Sequence, residues 1–283
     1  MKYLLIGSLG QLGTEFKNYF QKNNIDFIET DLPTLDVGNF DDVDTMIGTF
    51  KPDVVINCSA YNYVDQAEND RWTPIRVNTI GVRNIAYLCR KYNSFLVHFS
   101  TDYVFDGEKP SLYFEEDKPN PINFYGLSKF LGELSILEEL EEYLILRVSW
   151  LYGFGTQNFI VKFLNWSEET DTVRVSIDEI SVPTSTRTVV AVTMKSINEG
   201  LVGLFHLTNS GYASRFEWAL ELKKQLGLRV NVIPAKVDEF QLPAKRPKFS
   251  AMSNQKISDL LGISIPPWRE ELENFLNIFA SKN

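Results

Sequence analysis

The 283-residue sequence predicts an α/β protein, in which a doubly wound parallel sheet is followed by a second, smaller α/β lobe. Three observations predict this fold class. Short β-rich segments alternate with amphipathic helical segments in the first half, several of the β-rich segments are apolar throughout, and a glycine-rich loop separates the first strand from the first helix. Continuous apolar strands are typical of a parallel sheet that helices cover on both faces.

The first five strands are predicted from short runs of apolar, β-branched and aromatic residues. They are residues 3–6, 26–29, 54–58, 95–100 and 144–148. Helices are predicted where apolar residues recur at helical spacing, at residues 12–20, 79–90, 215–226 and 267–279. The alternation of strands and helices in the first half indicates right-handed βαβ units.

The second half of the chain has a different character, because prolines and turns become frequent after about Trp150. We therefore predict one domain over residues 1–150 and a smaller lobe over residues 151–283. A strand-like segment at 204–207 is a candidate to return to the large sheet, so a second crossing of the chain is expected near residues 186–208.

Composition and charge describe a globular protein of a reducing compartment. Apolar residues make up 44% of the chain and charged residues 23%, so a long disordered tail is not expected. The net charge of −9 argues against general nucleic-acid binding, and no apolar run approaches the ~18–20 residues that span a bilayer. With two cysteines and two histidines, neither a disulfide scaffold nor a zinc site is expected. We expect a cytoplasmic monomer or weak homodimer that contacts neither membrane nor nucleic acid.

The loop after the first strand has the spacing Gly-x-x-Gly-x-x-Gly. Glycines allow a tight turn and let backbone N–H groups approach a pyrophosphate, and the following helix adds partial positive charge. An ordinary glycine turn is the alternative, but the strand before the loop and the helix after it favour a Rossmann-type dinucleotide-binding domain over residues 1–150. The candidate cofactor-binding residues in this loop are Gly7, Gly10, Gln11, Leu12 and Gly13.

Asp31 follows the second predicted strand, at the ~20-residue offset where an acid meets the adenosine ribose in such domains. A carboxylate there repels a 2′-phosphate, so Asp31 favours NADH over NADPH. The alternative is that Asp31 is a turn residue at the end of the strand, and both cofactors remain candidates.

A Tyr-x-x-x-Lys pair, Tyr125 and Lys129, is the main candidate for chemistry. Residues four apart lie on one face of a helix, where the ammonium is expected to lower the pKa of the phenol. The tyrosine can then donate a proton to the oxygen that forms when hydride reaches a carbonyl. Thr101, or its neighbour Ser100, ends a predicted strand and can donate a hydrogen bond to the same oxygen. A surface Tyr/Lys pair and a strand-end cap are the alternatives.

Taken together, these motifs resemble those of the dTDP-4-dehydrorhamnose reductase family, a branch of the extended short-chain dehydrogenases, over nearly the whole chain. The resemblance rests on eight segments. They are Gly7-x-x-Gly10-Gln11-Leu12-Gly13, Leu35-Asp36-Val37, Pro52–Cys58, Ala60-Tyr61…Val64–Glu68, Ser100–Gly107, Tyr125-Gly126…Lys129…Gly132-Glu133, Arg147–Gly153 and Arg246-Pro247-Lys248…Ser250. It implies reduction of the 4-keto group of dTDP-4-dehydro-L-rhamnose, a dTDP-linked 4-keto-6-deoxy sugar, to give dTDP-L-rhamnose, by NADH or NADPH, in polysaccharide biosynthesis.

The resemblance also implies roles for individual residues. Thr101, Tyr125 and Lys129 would be catalytic. The further candidates are Asp36, Val37, Ser59, Ala60 and Tyr61 for the cofactor, and Val64, Asp102, Tyr103, Trp150 and Arg246 for the substrate. Arg246 lies in the densest basic cluster of an acidic chain, which suits a diphosphate, although a solvated loop would have the same composition.

Several departures from the family pattern are visible, and one is Asn62, which follows Tyr61 where a threonine is usual. Glu179 stands where a glutamine is usual and Ser181 where a glycine is usual, which puts the exact sugar in doubt. Some members dimerise through a magnesium ion held by glutamates. Glu15 matches one of them, but Arg187 follows Pro183 where an acid would be needed, so we predict no metal.

Two other functions remain open from the sequence. An epimerase or dehydratase of the same superfamily uses the same Tyr/Lys pair, although Tyr103 replaces the glutamate of the dehydratase motif. A non-catalytic protein, such as the regulatory subunit of methionine adenosyltransferase, has the same fold. An intact set of Thr101, Tyr125 and Lys129 favours catalysis.

Overall fold

A computed structural model describes residues 1–282. The strands are β1 (Tyr3–Ile6), β2 (Phe27–Thr30), β3 (Val54–Asn57), β4 (Phe95–Thr101), β5 (Tyr143–Val148), β6 (Leu151–Tyr152), β7 (Thr172–Ser176), β8 (Ile180–Ser181), β9 (Thr184–Ser185), β10 (Gly203–His206), β11 (Ala213–Ser214) and β12 (Asn231–Ala235). The α-helices are α1 (Gln11–Lys22), α2 (Phe40–Phe50), α3 (Gln66–Asn69), α4 (Trp72–Ile75), α5 (Val82–Tyr92), α6 (Phe124–Glu139), α7 (Phe159–Glu169), α8 (Thr186–Asn198), α9 (Arg215–Leu226), α10 (Gln255–Leu261) and α11 (Trp268–Lys282). Among these helices, none is both long and apolar enough to cross a membrane.

Six parallel strands form the central sheet, in the order β10-β5-β4-β3-β1-β2. The five strands predicted in the first half are all present, with ends within one residue of the predicted ones. The predicted fold class, a Rossmann-type doubly wound sheet with a smaller second lobe, is confirmed. The strand order reverses between β1 and β3, and ligands of such sheets bind at the carboxyl end of this switch point.

Alternate residues of each strand face opposite layers of helices. In β1, Tyr3 and Leu5 pack into an apolar cluster with α1 and α8, whereas Leu4 and Ile6 pack into another with α2 and α5. Both faces are therefore buried, which explains why the strand is apolar throughout rather than alternating.

The chain crosses back to the large sheet late in the sequence. Strand β10 pairs in parallel with β5, and α8 contributes Val189, Val190 and Met194 to the cluster that covers α1. The strand-like segment 204–207 thus lies in the large sheet. The division of the chain at residue 150 stays a prediction.

The second lobe is built around a cluster of large aromatic side chains. Trp218 of α9, Trp268 of α11 and Tyr152 of β6 are fully buried there, beside a parallel pair of strands, β7 and β12. The predicted helix 215–226 coincides with α9, whose Ser214 and Glu217 form a reciprocal capping box.

One helix differs from its prediction. A helix was predicted at 79–90, but helical backbone runs from Trp72 to Tyr92, and its middle, Arg76–Gly81, is a π-helical segment between α4 and α5. The backbone oxygen of Asn78 there would lie 2.2 Å from a β-carbon on Gly132, so α6 packs directly on this segment. π-helical turns are frequent at functional sites.

A buried ion pair joins α6 to the sheet. Glu133 accepts two hydrogen bonds from Arg147, from Nε at 2.9 Å and from Nη2 at 2.7 Å, and the two side chains are 1% and 3% exposed. The two hydrogen bonds replace the hydration that both charges lose on burial. Each charge is therefore stabilised only while its partner is present.

Removing one partner tests this dependence. We expect Arg147→Met to lower the free energy of unfolding by about 3–5 kcal/mol, because Glu133 is left buried without a counter-charge. The matched control is Lys195→Met, which breaks an exposed i,i+4 pair with Glu199 and is expected to cost at most about 0.5 kcal/mol. Urea denaturation measures both, and equal midpoints for the two variants would contradict the prediction.

Candidate active site

The loop between β1 and α1 is held in a shape that only glycine allows at two positions. Gly7 has a φ of +79°, and a β-carbon there would lie 2.6 Å from the backbone nitrogen of Ser59. A β-carbon on Gly13 would lie 2.0 Å from the backbone oxygen of Gly7. The first turn of α1 therefore packs against the loop, and the loop packs against the segment that follows β3.

Asp31 supports this loop from the end of β2. Its Oδ2 accepts a hydrogen bond from the backbone N–H of Leu9 at 2.8 Å, and its Oδ1 accepts one from Leu32 at 2.8 Å. Backbone N–H groups thus bind both carboxylate oxygens, as expected from the alternative in which Asp31 is a turn residue at the end of the strand. Its contact with an adenosine ribose stays a prediction.

A cleft of about 720 Å³ opens above the loop, at the carboxyl ends of β1, β3, β4 and β5. Its walls bring together many of the residues that the sequence singled out. These are Gly10, Gln11, Leu12, Ser59, Ala60, Thr101, Asp102, Tyr125, Lys129 and Trp150.

Several other predicted residues do not line this cleft. Asp36 forms an ion pair with Arg76, and the side chain of Val37 is buried against Gly81. Tyr61 is held by its backbone, which exchanges two 2.9 Å hydrogen bonds with the side chain of Asn78. The roles of Asp36, Val37 and Tyr61 toward a cofactor stay predictions.

Tyr125 and Thr101 form the polar centre of the cleft. Both side chains line the cleft, the Thr101 hydroxyl donates a 3.2 Å hydrogen bond to Asp102, and the Tyr125 ring meets that of Tyr103 edge-on at 5.9 Å. Burial raises the pKa of Tyr125 to about 12, while the neighbouring Thr101 hydroxyl lowers it in part. The expectation of a lowered phenol pKa is wrong, because the cost of burying a phenolate raises it.

Lys129 lies one helical turn further along α6 and is 2% exposed. Its Nζ donates a 2.7 Å hydrogen bond to the backbone oxygen of Phe99. Burial lowers the pKa of Lys129 to about 8, and nearby Glu133 and Cys58 raise it in part. The ammonium therefore loses its proton within the range of ordinary assays.

A second pocket, of about 620 Å³, adjoins the first on the side of the small lobe. Trp150 lines both pockets, and it holds an unusual φ of +42°. The guanidinium carbon of Arg215 lies 3.6 Å from the centre of the Trp150 ring, and Trp218 stacks on Trp150 at 5.8 Å. Arg246 donates a 2.7 Å hydrogen bond to Asp65 at the opposite wall.

Four cations and several aromatic rings line this second pocket, together with the predicted substrate residues Val64 and Tyr103. The cations are Lys162, Arg174, Arg215 and Arg246, and the rings include Phe159, Trp166 and Phe240. Cationic and aromatic groups together suit an anion attached to a flat ring.

Asp102 accepts hydrogen bonds that its motif did not predict. Its carboxylate accepts hydrogen bonds from Ser181 at 2.8 Å and Ser250 at 2.5 Å, and it is 2% exposed. Burial raises its pKa to about 6, against the effect of these hydrogen bonds. Asp102 therefore ties the end of β4 to the second lobe, and its contact with a sugar stays a prediction.

Sequence reasoning missed Arg215, Lys162 and Arg174. Arg215 begins a helix that was correctly predicted, but one arginine at a helix N-terminus carries no signal for a pocket. Lys162 and Arg174 lie on α7 and β7, which were not predicted, so their faces could not be assigned.

The first cleft fits a dinucleotide on grounds internal to this structure. Its floor is a loop in which side chains are excluded at Gly7 and Gly13, which leaves backbone N–H groups near the cleft. In its wall, the Ser100 hydroxyl is buried and has no hydrogen-bond partner among the described residues. Among residues 1–282, no group of acids, histidines or cysteines is arranged to hold a metal, and metal independence stays a prediction.

Comparison with known proteins agrees with this geometry. The model of the RmlD substrate binding domain family matches residues 1–281. The spore coat polysaccharide biosynthesis protein SpsK of Bacillus subtilis is 32% identical over 275 residues, which cover 97% of this chain and 96% of that protein.

Two solved structures are closely similar. A dTDP-4-dehydrorhamnose reductase from Clostridium acetobutylicum superposes with a TM-score of 0.96 at 36% identity, covering 99% of this chain and 100% of that one. The dTDP-4-dehydrorhamnose reductase of Bacillus anthracis, in complex with NADP, has a TM-score of 0.94 at 35% identity and covers 97% and 98%. The resemblance predicted from the motifs is confirmed, and the chain belongs to the dTDP-4-dehydrorhamnose reductase family.

Proposed function

We propose that this protein reduces the 4-keto group of dTDP-4-dehydro-L-rhamnose to give dTDP-L-rhamnose, with NADH or NADPH, as a step toward cell-surface polysaccharide. The observation that carries the proposal is the position of the Thr101–Tyr125 hydroxyl pair. It lies in the wall of the glycine-floored cleft, which shares Trp150, Leu151 and Gln157 with the cationic pocket. A carbonyl between the two pockets would therefore meet both hydroxyls.

The chain's own residues supply positioning and the proton. A nicotinamide cofactor, when bound, supplies the hydride. With a pKa of about 12, Tyr125 keeps its proton at neutral pH and can donate it to the sugar oxygen as negative charge develops there. Thr101 and Lys129 lie on the same wall of the cleft, and Lys129, when protonated, can stabilise the resulting phenolate.

The second pocket is suited to the nucleotide and its diphosphate. Arg215 and Arg246 face it from two different elements, and Trp150, Phe159 and Trp166 offer flat apolar surfaces to a base. In an acidic chain, this local concentration of arginine is what can hold two phosphates.

The choice between NADH and NADPH depends on Asp31. The carboxylate at the end of β2 favours NADH, because a 2′-phosphate placed nearby would be repelled. The Bacillus anthracis relative is in complex with NADP, so members of the family differ or accept both. We therefore propose that NADH is preferred and that NADPH is also used.

The competing functions make different predictions about turnover. A dehydratase needs a base where this chain has Tyr103, whose pKa burial raises further, so elimination chemistry is disfavoured. An epimerase consumes no net cofactor, and a regulatory subunit consumes neither cofactor nor sugar. The test is NADH oxidation in the presence of dTDP-4-dehydro-L-rhamnose, with dTDP-L-rhamnose identified as product. Conversion of the sugar without NADH loss would favour the epimerase, and absence of both would favour the regulatory protein.

Substitution of the phenol tests the acid assignment. We expect Tyr125→Phe to reduce kcat by about 10²-fold or more, because the proton donor is lost, while the Kd for NADH changes little. The matched control is Tyr113→Phe, since Tyr113 is buried away from the cleft and donates to Asp106. Wild-type turnover by Tyr125→Phe would show that another group donates the proton.

The effect of the Asp31 charge on cofactor choice is tested by the ratio of kcat/KM for NADH to kcat/KM for NADPH. We expect Asp31→Asn to lower the NADH/NADPH ratio of kcat/KM by about fivefold, because about 1 kcal/mol of repulsion is removed. The substitution also disturbs the hydrogen bonds to the glycine loop, but this damage affects both cofactors and cancels in the ratio. An unchanged ratio would make Asp31 a structural support only.

A further inference from the structure

A buried chain of polar side chains runs from the segment after β3, which packs on the glycine loop, to Lys129. It consists of Ser59, Asn57, His98 and Lys129, and the last three are at most 2% exposed. Asn57 is the last residue of β3, and His98 lies within β4. Because these strands are neighbours in the sheet, the backbone positions of both residues are fixed. Asn57 and His98 do not line the cleft, so solvent there does not supply an alternative partner for either.

The direction of each hydrogen bond follows from one backbone group. The N–H of Ser59 can only donate, and it points at Asn57 at 3.0 Å, so the accepting atom is Oδ1. The Ser59 hydroxyl donates to the same oxygen at 2.6 Å. The amide nitrogen of Asn57 therefore faces His98 Nδ1 at 3.1 Å and donates to it.

The proton of the neutral imidazole must then be on Nε2. Burial, with Lys129 adding to it, lowers the pKa of His98 well below its usual value, so the ring is neutral. Nε2 lies 3.4 Å from Lys129 Nζ. An N–H is thus aimed at the lysine nitrogen, which can accept it as an amine but not as an ammonium.

We propose that His98 is a positioning residue for Lys129, and that Asn57 fixes the direction of its N–H so that Ser59, after β3, and the lysine are joined by one oriented hydrogen-bond chain. This chain holds Nζ against the oxygen of Phe99 and opposes its positive charge. The inference rests on the proposed role of Lys129 in reduction.

Of the other ionisable groups near Lys129, some favour its positive charge and some are already paired with another group. Glu133, one turn along α6, favours the ammonium, but Arg147 of β5 neutralises it. Cys58, after β3, is a buried thiol whose pKa is raised, and His206 of β10 faces Arg147. Of these groups, the imidazole of His98 therefore contacts Lys129 directly, and the direction of its hydrogen bond can be reversed by moving its proton.

Reversal of that orientation has a predictable sign. Aspartate at position 57 still accepts from Ser59 but can no longer donate to His98. The imidazole proton then moves to Nδ1, and Nε2 becomes an acceptor for the Lys129 ammonium. Both this change and the added negative charge favour protonated lysine.

The tautomer can be measured in the wild-type protein, without substrate or activity. Uniform ¹⁵N labelling of histidine reports the protonated ring nitrogen, and the variant His206→Gln assigns the two histidines. We expect His98 to carry its proton on Nε2, with an inflection in its ¹⁵Nε2 shift near pH 8 that disappears in Lys129→Met. A proton on Nδ1, or an inflection that survives Lys129→Met, would overturn the proposal.

The effect on Lys129 is measured by the pH dependence of kcat/KM. We expect the basic limb of the profile to move upward by about one pH unit or more in Asn57→Asp. The matched control is Asn209→Asp, since Asn209 is equally buried and accepts from the backbone N–H of Ser185, far from Lys129. A limb that moves equally in both variants, or in neither, would overturn the link to Lys129.

Failure of the proposed function would look different. Absence of sugar reduction by the wild-type protein removes the pH profile but leaves the tautomer and its coupling to Lys129 measurable by NMR. An active enzyme whose His98 has the opposite tautomer would retain the reductase proposal and remove only this inference.

Discussion

The close approach of two backbone segments at the carboxyl edge of the sheet is the constraint on which this site depends. Gly7 and Ser59 follow neighbouring strands, and the space between them does not admit a β-carbon. Because Gly13 packs on the same loop, α1 begins immediately above β1 and directs its N-terminus at the cleft. The backbone rather than any charged side chain thus forms the floor of an anion site in a protein of net charge −9.

The small lobe completes the site through a few contacts at the junction. Trp150 occupies a left-handed backbone conformation that is costly for a bulky residue, and it is stabilised by Arg215 on one side and Trp218 stacking on it. Asp102 adds hydrogen bonds from Ser181 and Ser250. Strain and buried charge are therefore located where the two pockets meet, while the strands below are packed in ordinary apolar layers.

The sequence predicted the sheet well, because hydrophobic periodicity is set by burial and both faces of this sheet are buried. The glycine loop and the Tyr125–Lys129 pair were also predictable, since each needs a particular residue at a particular spacing. Helices α2, α3, α4, α7, α8 and α10 were not predicted, and neither was the π-helical segment at Arg76–Gly81, whose form depends on tertiary packing against Gly132.

Electrostatic properties were the least predictable part of the site. The spacing of Tyr125 and Lys129 indicated a lowered phenol pKa, but burial reverses the sign, because desolvation depends on neighbours that are remote in sequence. Arg215 was missed because the pocket that it lines is formed by residues that are remote from it in sequence. The engagement of Asp31 by Leu9 requires the fold of the loop, which no motif specifies.

Hydride transfer to the C4 carbonyl of a nucleotide-linked sugar is the step that the whole cleft is proposed to perform. It is tested with NADH that carries deuterium at the transferred position of the nicotinamide, followed by mass spectrometry and NMR of the sugar product. We expect one deuterium at C4 of the sugar for each cofactor oxidised. Product that contains no deuterium at C4, or sugar turnover without cofactor oxidation, would show that the cleft does not perform this transfer.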